Sequence, residues 1–270
     1  METAETFKQQ GFIAVKTFFD SAQIDGLTKI VDRIYRQWLA ENRAAYIENR
    51  LINMHSLTSP RYFEHRAAER LRFFQLLASD RLTELMTGLF GDEIYFHNTQ
   101  LFFNPYQNSR QPYWHRDMQY STIDDSALKA EQANLLALHI RIPLAPETSI
   151  ELIPGTHRRW DTDLERDVRL ELNGHRNSEA LPDSVLISLE PGDILIFDAQ
   201  MLHRGNYHPN PARKALDLCL SKPHPFTLPY LDAGNLPSLA ELELIENKQW
   251  YKMAHALLAY PGNRYETAIS

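Results

Sequence analysis

Two side chains that can bind a metal ion lie close together in PYWHRDMQYS, residues 112–121. They are His115 and Asp117. On a β-strand, residues two apart point to the same face, so the imidazole and the carboxylate would converge on one point. Two histidines and one carboxylate, with open positions opposite them, form the facial ligand set of non-haem Fe(II) oxygenases. The pair therefore indicates a metal centre that needs a second histidine from elsewhere in the chain.

The best candidate for the third ligand is His203. It follows EPGDILIF, residues 190–197, where a turn and an apolar strand pattern would deliver it into the interior. His208 and His157 are its rivals. His208 lies in the turn YHPNP and is expected to face solvent, and His157 follows IPG and is expected to order a loop.

An arginine lies ten residues beyond His203 and immediately before the apolar run KALDLCLS. This arginine, Arg213, carries a guanidinium that can bind a carboxylate through two parallel hydrogen bonds. An oxygenase that uses 2-oxoglutarate needs such a partner for the far carboxylate of that cosubstrate. The combination predicts Fe(II), 2-oxoglutarate and O2 as the reacting partners, although Arg213 could also be a surface charge.

Two polar residues share one face of the strand pattern EIYFHNTQLFF, residues 93–103. They are Asn98 and Gln100. Such residues can simply be polar groups at the edge of a sheet. The functional interpretation, which we adopt for Gln100, is contact with the substrate or the cosubstrate.

Helices are predicted on both sides of a central run of strands. Residues 20–43, 66–91 and 238–260 have helical periodicity, whereas seven or eight short strand patterns, separated by turns, lie between residues 93 and 221. The polar, aperiodic segment 161–183 is expected to be a surface loop. Many short strands with tight turns favour a sandwich, a barrel or a jelly roll.

The composition excludes some classes of protein and disfavours others. The chain has 270 residues, a formal net charge of −7 and a single cysteine, Cys219, so an intramolecular disulfide is impossible. The acidic balance argues against a nucleic-acid-binding surface. No secretory signal and no apolar stretch of membrane-spanning length is evident, so a cytoplasmic protein without a membrane partner is expected.

The order of these segments resembles the phytanoyl-CoA dioxygenase family of Fe(II)/2-oxoglutarate oxygenases. The resemblance begins at FKQQGFIAVKTFF and continues through WHRD, IPGTHR and PGDILIFDAQMLHRG to Arg213. It implies a mainly β core with flanking α-helices, namely a double-stranded β-helix of the cupin-like jelly-roll type. It also implies that His115, Asp117 and His203 bind iron and that Arg213 binds 2-oxoglutarate.

The resemblance predicts a single domain over residues 1–270. The helical N-terminal part would extend to about residue 92, the jelly-roll core would occupy about residues 93–225, and C-terminal helices would occupy about residues 235–260.

The chain departs from the family pattern around the expected cosubstrate site. Many members have a serine two residues after the distal histidine and a small hydroxyl residue two after the arginine, where this chain has Gly205 and Ala215. Asn104 stands where many members have a lysine, and His139 stands where an aromatic residue is common. Different hydrogen bonds must therefore support the arginine, and His139 is predicted to line the cosubstrate pocket.

The leading functional prediction is a dioxygenase that hydroxylates an unactivated C–H bond of a small organic metabolite and releases succinate and CO2. Desaturation, epimerisation or cyclisation by the same centre is an alternative. A non-catalytic cupin-like protein that binds a metal or a small ligand is another, and a metal-dependent enzyme without 2-oxoglutarate is a third. In each case the predicted partner is a small molecule.

Overall fold

The computed structural model describes residues 2–107, 110–210 and 212–259. The helices, in chain order, are α1 (Glu2–Gln10), α2 (Ser21–Ile47), α3 (Ala67–Leu77), α4 (Asp80–Phe90), α5 (Asp125–Glu131), α6 (Asp163–Arg169), α7 (Leu239–Leu244) and α8 (Gln249–Ala259). The strands are β1 (Phe12–Val15), β2 (Asn53–His55), β3 (Tyr95–Phe103), β4 (Ala137–Pro143), β5 (Glu147–Leu152), β6 (Val185–Leu189), β7 (Ile194–Asp198), β8 (His203–Gly205) and β9 (Lys214–Ser221).

The strands form two antiparallel sheets that face each other across a cavity. The large sheet has the order β1-β7-β4-β9-β3-β2, and the small sheet has the order β6-β5-β8. Non-consecutive strands are neighbours in both sheets, which is how a jelly roll closes two sheets around an interior. The predicted mainly β core with flanking helices is confirmed.

Side-chain alternation on β9 places apolar residues on one face of the large sheet and cavity-lining residues on the other. On β9, Leu216, Leu218 and Leu220 belong to the main apolar core, whereas Asp217 and Cys219 line the cavity. Because successive side chains of a strand point to opposite faces, a slip of one residue would exchange these two sets. The apolar face of the sheet thus holds the polar face in position.

The helices cover the outer face of the large sheet. Helix α2 begins at a capping box made by Asp20 and Gln23. Its buried face contributes Leu27 and Ile34 to the main apolar core. Helix α8 packs on β3, where the ring of Tyr251 lies 5.3 Å from that of Phe96. Because helices cover this face of the sheet, the opposite, polar face is the one that forms a wall of the cavity.

The structure differs from the sequence prediction in several places, and helix α5 and strand β8 were also not predicted. The segment around His115 is not a strand, and residues 53–55 form the short strand β2, which the sequence did not indicate. Within the predicted loop 161–183 lies α6, which begins at a capping box between Thr162 and Glu165. That T-x-x-E spacing was the signal for a helix start.

Tyr260, the last residue of the predicted C-terminal helical segment, lies outside the described residues. Among the helices of the described part of the chain, none combines the length and the apolar character needed to cross a membrane.

Candidate active site

All six residues singled out as site residues line one cavity of about 540 Å³ between the two sheets. They are His115, Asp117, His203, Arg213, Gln100 and His139. The volume is within the range of about 300–1,000 Å³ that is typical of small-molecule sites.

Three potential metal ligands converge on one wall of this cavity. The Oδ1 atom of Asp117 lies 3.5 Å from Nε2 of His115 and 3.2 Å from Nε2 of His203. One ligand atom from each residue can be chosen so that all lie within 4.8 Å of one another. Ligands at about 2 Å from a shared metal ion lie about 3 Å from each other, so these spacings suit a bound cation.

Backbone pairing, rather than strand alternation, brings the ligands together. The N–H of His115 donates to the carbonyl of His203 at 3.0 Å, and the N–H of His203 donates back at 3.1 Å. Asp117 then begins a 3-10 helix, and its N–H donates to the carbonyl of Ala199 at 3.1 Å. The expected convergence of His115 and Asp117 is therefore present, but the reasoning from a strand was wrong.

The hydrogen bonds of the two histidines leave the correct nitrogen available. Nδ1 of His115 lies 3.1 Å from the carbonyl oxygen of Tyr113, and Nδ1 of His203 lies 3.0 Å from that of Met201. A carbonyl oxygen only accepts, so each Nδ1 carries the proton and each Nε2 presents a lone pair. Burial and the neighbouring His203 lower the pKa of His115 to about 3, which favours the neutral, metal-binding form.

The donor set itself fits an iron ion. Two imidazole lone pairs and a carboxylate oxygen that face one another repel unless a cation lies between them. Burial alone would raise the pKa of Asp117, but His139 and His203 outweigh it and hold the pKa well below its usual value. One ionised carboxylate and two imidazoles form the ligand type used by non-haem Fe(II).

His139 joins Asp117 to a group of buried charges. Its Nε2 lies 2.8 Å from Oδ2 of Asp117, and its Nδ1 lies 3.0 Å from Oδ2 of Asp217. Arg141 binds both oxygens of Asp217, at 2.8 and 2.9 Å. Burial opposes the charged form of His139, but Asp117 and Asp217 raise its pKa to about 9. For Asp217, Arg141 and His139 overcome burial and lower the pKa to about 2.

Arg213 is held by a carboxylate instead of by hydroxyl groups. Its Nε donates to Oε1 of Glu147 at 2.7 Å, and both side chains are buried. Its guanidinium carbon lies 5.3 Å from the ring centroid of Phe102 and 5.8 Å from that of Tyr207. The ion pair with Glu147 thus supports Arg213 in place of the hydroxyl residues that many family members have at positions 205 and 215.

Gly205 makes room for this guanidinium. A Cβ atom at Gly205 would lie 3.0 Å from Nη1 and 3.2 Å from Nη2 of Arg213. Ala215 is fully buried in the sheet, and the amide of Asn104 donates to the carbonyl of Asn210. Gly205 is therefore linked to Arg213, because the guanidinium occupies space that a larger residue at 205 would fill.

We expect Gly205→Ser to weaken the binding of 2-oxoglutarate to the metal-loaded protein roughly fivefold. Crowding of the guanidinium costs about 1 kcal/mol. Titration monitored by calorimetry measures the effect. Gly88→Ser is the control, because a Cβ there meets no atom within 4 Å. Tighter binding by Gly205→Ser would mean that the added hydroxyl supports the cosubstrate and that crowding is unimportant.

Gln100 lies deep in the cavity on β3. It is in register with Asp217 on β9 and with His55 on β2. The cavity-facing position predicted from the sequence is thus present. Contact of Gln100 with a substrate or cosubstrate stays a prediction.

Sequence reasoning missed Arg141, Glu147 and Asp217, which are all buried. A signal was available, because charged residues are rarely found inside apolar runs such as LHIRIPL and ALDLCLS unless they are paired. It also assigned no functional role to four tyrosines that line the cavity. These are Tyr113, Tyr120, Tyr207 and Tyr230.

Arg116 anchors the segment that carries two of the ligands. Its guanidinium binds Oδ1 of Asp161 through Nε at 2.9 Å and Nη2 at 2.7 Å, and it also donates to the carbonyl of Thr156. Asp161 in turn accepts from Arg169 of α6 at 2.8 Å. Segment 161–183, which was expected to be a surface loop, therefore stabilises the segment that carries His115 and Asp117.

The two rival histidines, His157 and His208, and the ligand's neighbour Arg204 make other contacts. Nε2 of His157 lies 3.2 Å from the carbonyl oxygen of Lys8, and His208 is exposed in a turn. Arg204 pairs with Glu151 at 2.7 Å. Neither rival histidine belongs to the set of converging ligand atoms.

Comparison with known proteins agrees with this architecture. The ectoine dioxygenase of Sphingopyxis alaskensis is 25% identical over 232 residues, which cover 78% of this chain and 72% of that protein. The crystal structure of EctD from S. alaskensis with 2-oxoglutarate and 5-hydroxyectoine superposes with a TM-score of 0.55 at 20% identity, over 81% of this chain and 74% of that one.

A second solved structure has the same fold. The non-haem α-ketoglutarate-dependent carbocyclase SnoK from nogalamycin biosynthesis superposes with a TM-score of 0.55 at 14% identity, over 82% of this chain and 83% of that one. The family model of phytanoyl-CoA dioxygenase (PhyH) matches residues 7–215, which is most of the chain. The chain therefore belongs to the phytanoyl-CoA dioxygenase family.

Proposed function

We propose that this chain is an Fe(II)- and 2-oxoglutarate-dependent dioxygenase that hydroxylates an unactivated C–H bond of a small organic metabolite. The observation that carries the proposal is one cavity with two features. His115, Asp117 and His203 converge on one of its walls, and the buried guanidinium of Arg213 also lines it. We propose further that residues 1–270 form one catalytic domain. A cytoplasmic location, where Cys219 would stay reduced, is kept as a prediction.

In this proposal the protein side chains bind and orient the reactants. His115, Asp117 and His203 hold the iron, and their hydrogen-bonded Nδ1 atoms fix the two imidazole rings. Iron(II), 2-oxoglutarate and O2 together supply oxidative decarboxylation to succinate and CO2 and the oxidising power to break an unactivated C–H bond. The cavity between the two sheets is where the reactants would meet.

Arg213 binds the far carboxylate of 2-oxoglutarate in this proposal. Its Nε is already engaged with Glu147, so its terminal nitrogens are the donors left for a ligand. A charge-assisted pair of hydrogen bonds between a guanidinium and a carboxylate is strong and directional. Glu147 keeps the guanidinium in one orientation, which reduces the entropy lost when the carboxylate binds.

The rest of the cavity is left for the substrate. Tyrosine side chains at its wall combine apolar rings with hydroxyl groups, which suits a mid-sized organic molecule. Because the related curated enzymes are ectoine dioxygenases, ectoine is the first compound to include in a substrate screen. The mass of the product separates the reactions: hydroxylation adds one oxygen atom, desaturation or cyclisation removes two hydrogen atoms, and epimerisation leaves the mass unchanged.

An anaerobic titration tests the proposal directly. Metal-free protein receives Fe(II) and then 2-oxoglutarate, and the visible charge-transfer band of the chelated complex is recorded. A band followed by succinate release on admission of O2 is the expected result. Iron binding without a band, and without succinate, would contradict the proposal and favour a binding protein or an enzyme that does not use 2-oxoglutarate.

We expect Glu147→Gln to lower the free energy of unfolding by about 2–4 kcal/mol, because it leaves the buried guanidinium of Arg213 without its carboxylate. Urea denaturation of the metal-free protein measures this. Glu84→Gln is the matched control, because Glu84 is exposed on α4. Equal stability of the two variants would mean that Glu147 does not support the arginine.

A further inference from the structure

The two oxygens of Asp117 have different surroundings. Oδ1 faces Nε2 of both His115 and His203. Oδ2 faces away from them and lies 2.8 Å from Nε2 of His139. The carboxylate therefore has one oxygen directed at the candidate metal position and one directed at a protein donor.

His139 is itself held on three sides. Asp117 lies at its Nε2, Asp217 lies 3.0 Å from its Nδ1, and its ring stacks on Phe197 with centroids 5.3 Å apart and planes 22° apart. Each ring nitrogen of His139 therefore lies within hydrogen-bonding distance of a carboxylate oxygen. His139 is 6% exposed, and another orientation of the ring would break these contacts.

The support behind His139 is also rigid. Arg141 binds both oxygens of Asp217, and neither Asp217 nor Arg141 is more than 2% exposed. In register, Arg141 on β4 lies opposite Asp217 on β9, so the pair is fixed by the sheet itself. Because Asp217 and Arg141 hold His139 in place, His139 can set the orientation of the Asp117 carboxylate.

We propose that His139 is a positioning residue, which holds the outer oxygen of Asp117 so that the carboxylate presents one oxygen to the metal. This inference rests on the proposed function, because it needs a metal ion at the triad. With both ring nitrogens engaged, His139 acts through Asp117 and offers no free polar atom to a cosubstrate. The chain of contacts from Asp117 to Arg141 is a part of the site that the ligand pattern by itself does not reveal.

The test compares metal affinity among variants at position 139. Mn²⁺ is titrated into metal-free protein, and the free ion is followed by electron paramagnetic resonance. His139→Phe keeps a ring that can stack on Phe197 but cannot donate, and we expect its dissociation constant to rise about 10- to 100-fold. His139→Gln keeps an N–H donor for Oδ2 of Asp117, and we expect it to recover most of the affinity.

His97→Phe is the matched control. His97 also lines the cavity. Its Nε2 lies 3.2 Å from Oγ of Ser221, which is not a proposed metal ligand. We expect its Mn²⁺ affinity to match that of the unchanged protein. A loss of affinity by His97→Phe equal to that of His139→Phe would overturn the proposal, because it would show a general effect of cavity substitution.

Two further measurements separate the possible failures. Asp117→Ala must lose Mn²⁺ affinity if the proposed function is right. If it does and His139→Phe binds as tightly as the unchanged protein, only the positioning role is overturned. Should His139→Phe not fold, His139→Gln and His139→Asn carry the test, since asparagine is one methylene too short to reach Asp117. Equal affinity of these two variants would also overturn the proposal.

Discussion

Asp117→Ala is expected to abolish succinate formation coupled to substrate oxidation and to weaken metal binding by at least about 100-fold. Asp117 is the single anionic donor of the triad, and the two histidines are neutral ligands. Loss of a group that supports a ligand already costs about 10- to 100-fold in affinity, so loss of the ligand itself must cost more. Metal titration and a succinate assay on the same preparation measure both effects.

Asp25→Ala provides the control for this prediction. Asp25 is exposed on α2, on the far side of the helical layer from the cavity wall, and its replacement should change neither metal affinity nor succinate yield. Unchanged turnover by Asp117→Ala would contradict the assignment of the triad. In that case a different set of ligands would have to be sought among the groups that line the cavity.

Arg213→Met is expected to weaken 2-oxoglutarate binding by roughly 30- to several thousand-fold while leaving metal affinity within a few-fold of the original. Truncating one partner of a buried, hydrogen-bonded charge pair costs about 2–5 kcal/mol. Methionine retains part of the apolar volume of the arginine side chain against Phe102 and Tyr207. Calorimetric titration of the metal-loaded protein under anaerobic conditions measures the affinity.

A cosubstrate analogue locates the contact on the ligand. 2-Oxobutyrate lacks the far carboxylate, so its affinity should be almost the same for Arg213→Met and for the unchanged protein. Arg36→Met, on the exposed face of α2, is the control for removal of a positive charge. If both ligands lose affinity equally in Arg213→Met, the arginine supports the cavity as a whole and does not bind the far carboxylate.

The types and the order of the site residues were accessible from the sequence because they depend on local chemistry. The sequence shows directly an imidazole and a carboxylate two residues apart, a distant histidine after an apolar strand, and an arginine ten residues later. The same holds for the alternation on β9, where Leu216 and Leu218 predict the face that packs against the helices. Family membership follows from the same ordered segments.

The paired charges behind the site could not be placed from the sequence. Arg141, Glu147 and Asp217 are stable inside the protein only because each faces an opposite charge, and those partners come from different strands. Which strands are neighbours is decided when the two sheets close, not by any local pattern. The departure at Gly205 became interpretable only when the guanidinium of Arg213, paired with Glu147, was found against it.

The sequence by itself determined which groups can bind a metal and a carboxylate, because these properties belong to the side chains. Only the tertiary structure decided how they meet. His115 and His203 converge through a backbone pairing between distant segments, and Asp117 turns toward them at the start of a 3-10 helix. His139 reaches the outer oxygen of Asp117 because β4 pairs with β7, and the N–H of Asp117 donates to Ala199, just after β7. Long-range strand pairing sets these distances.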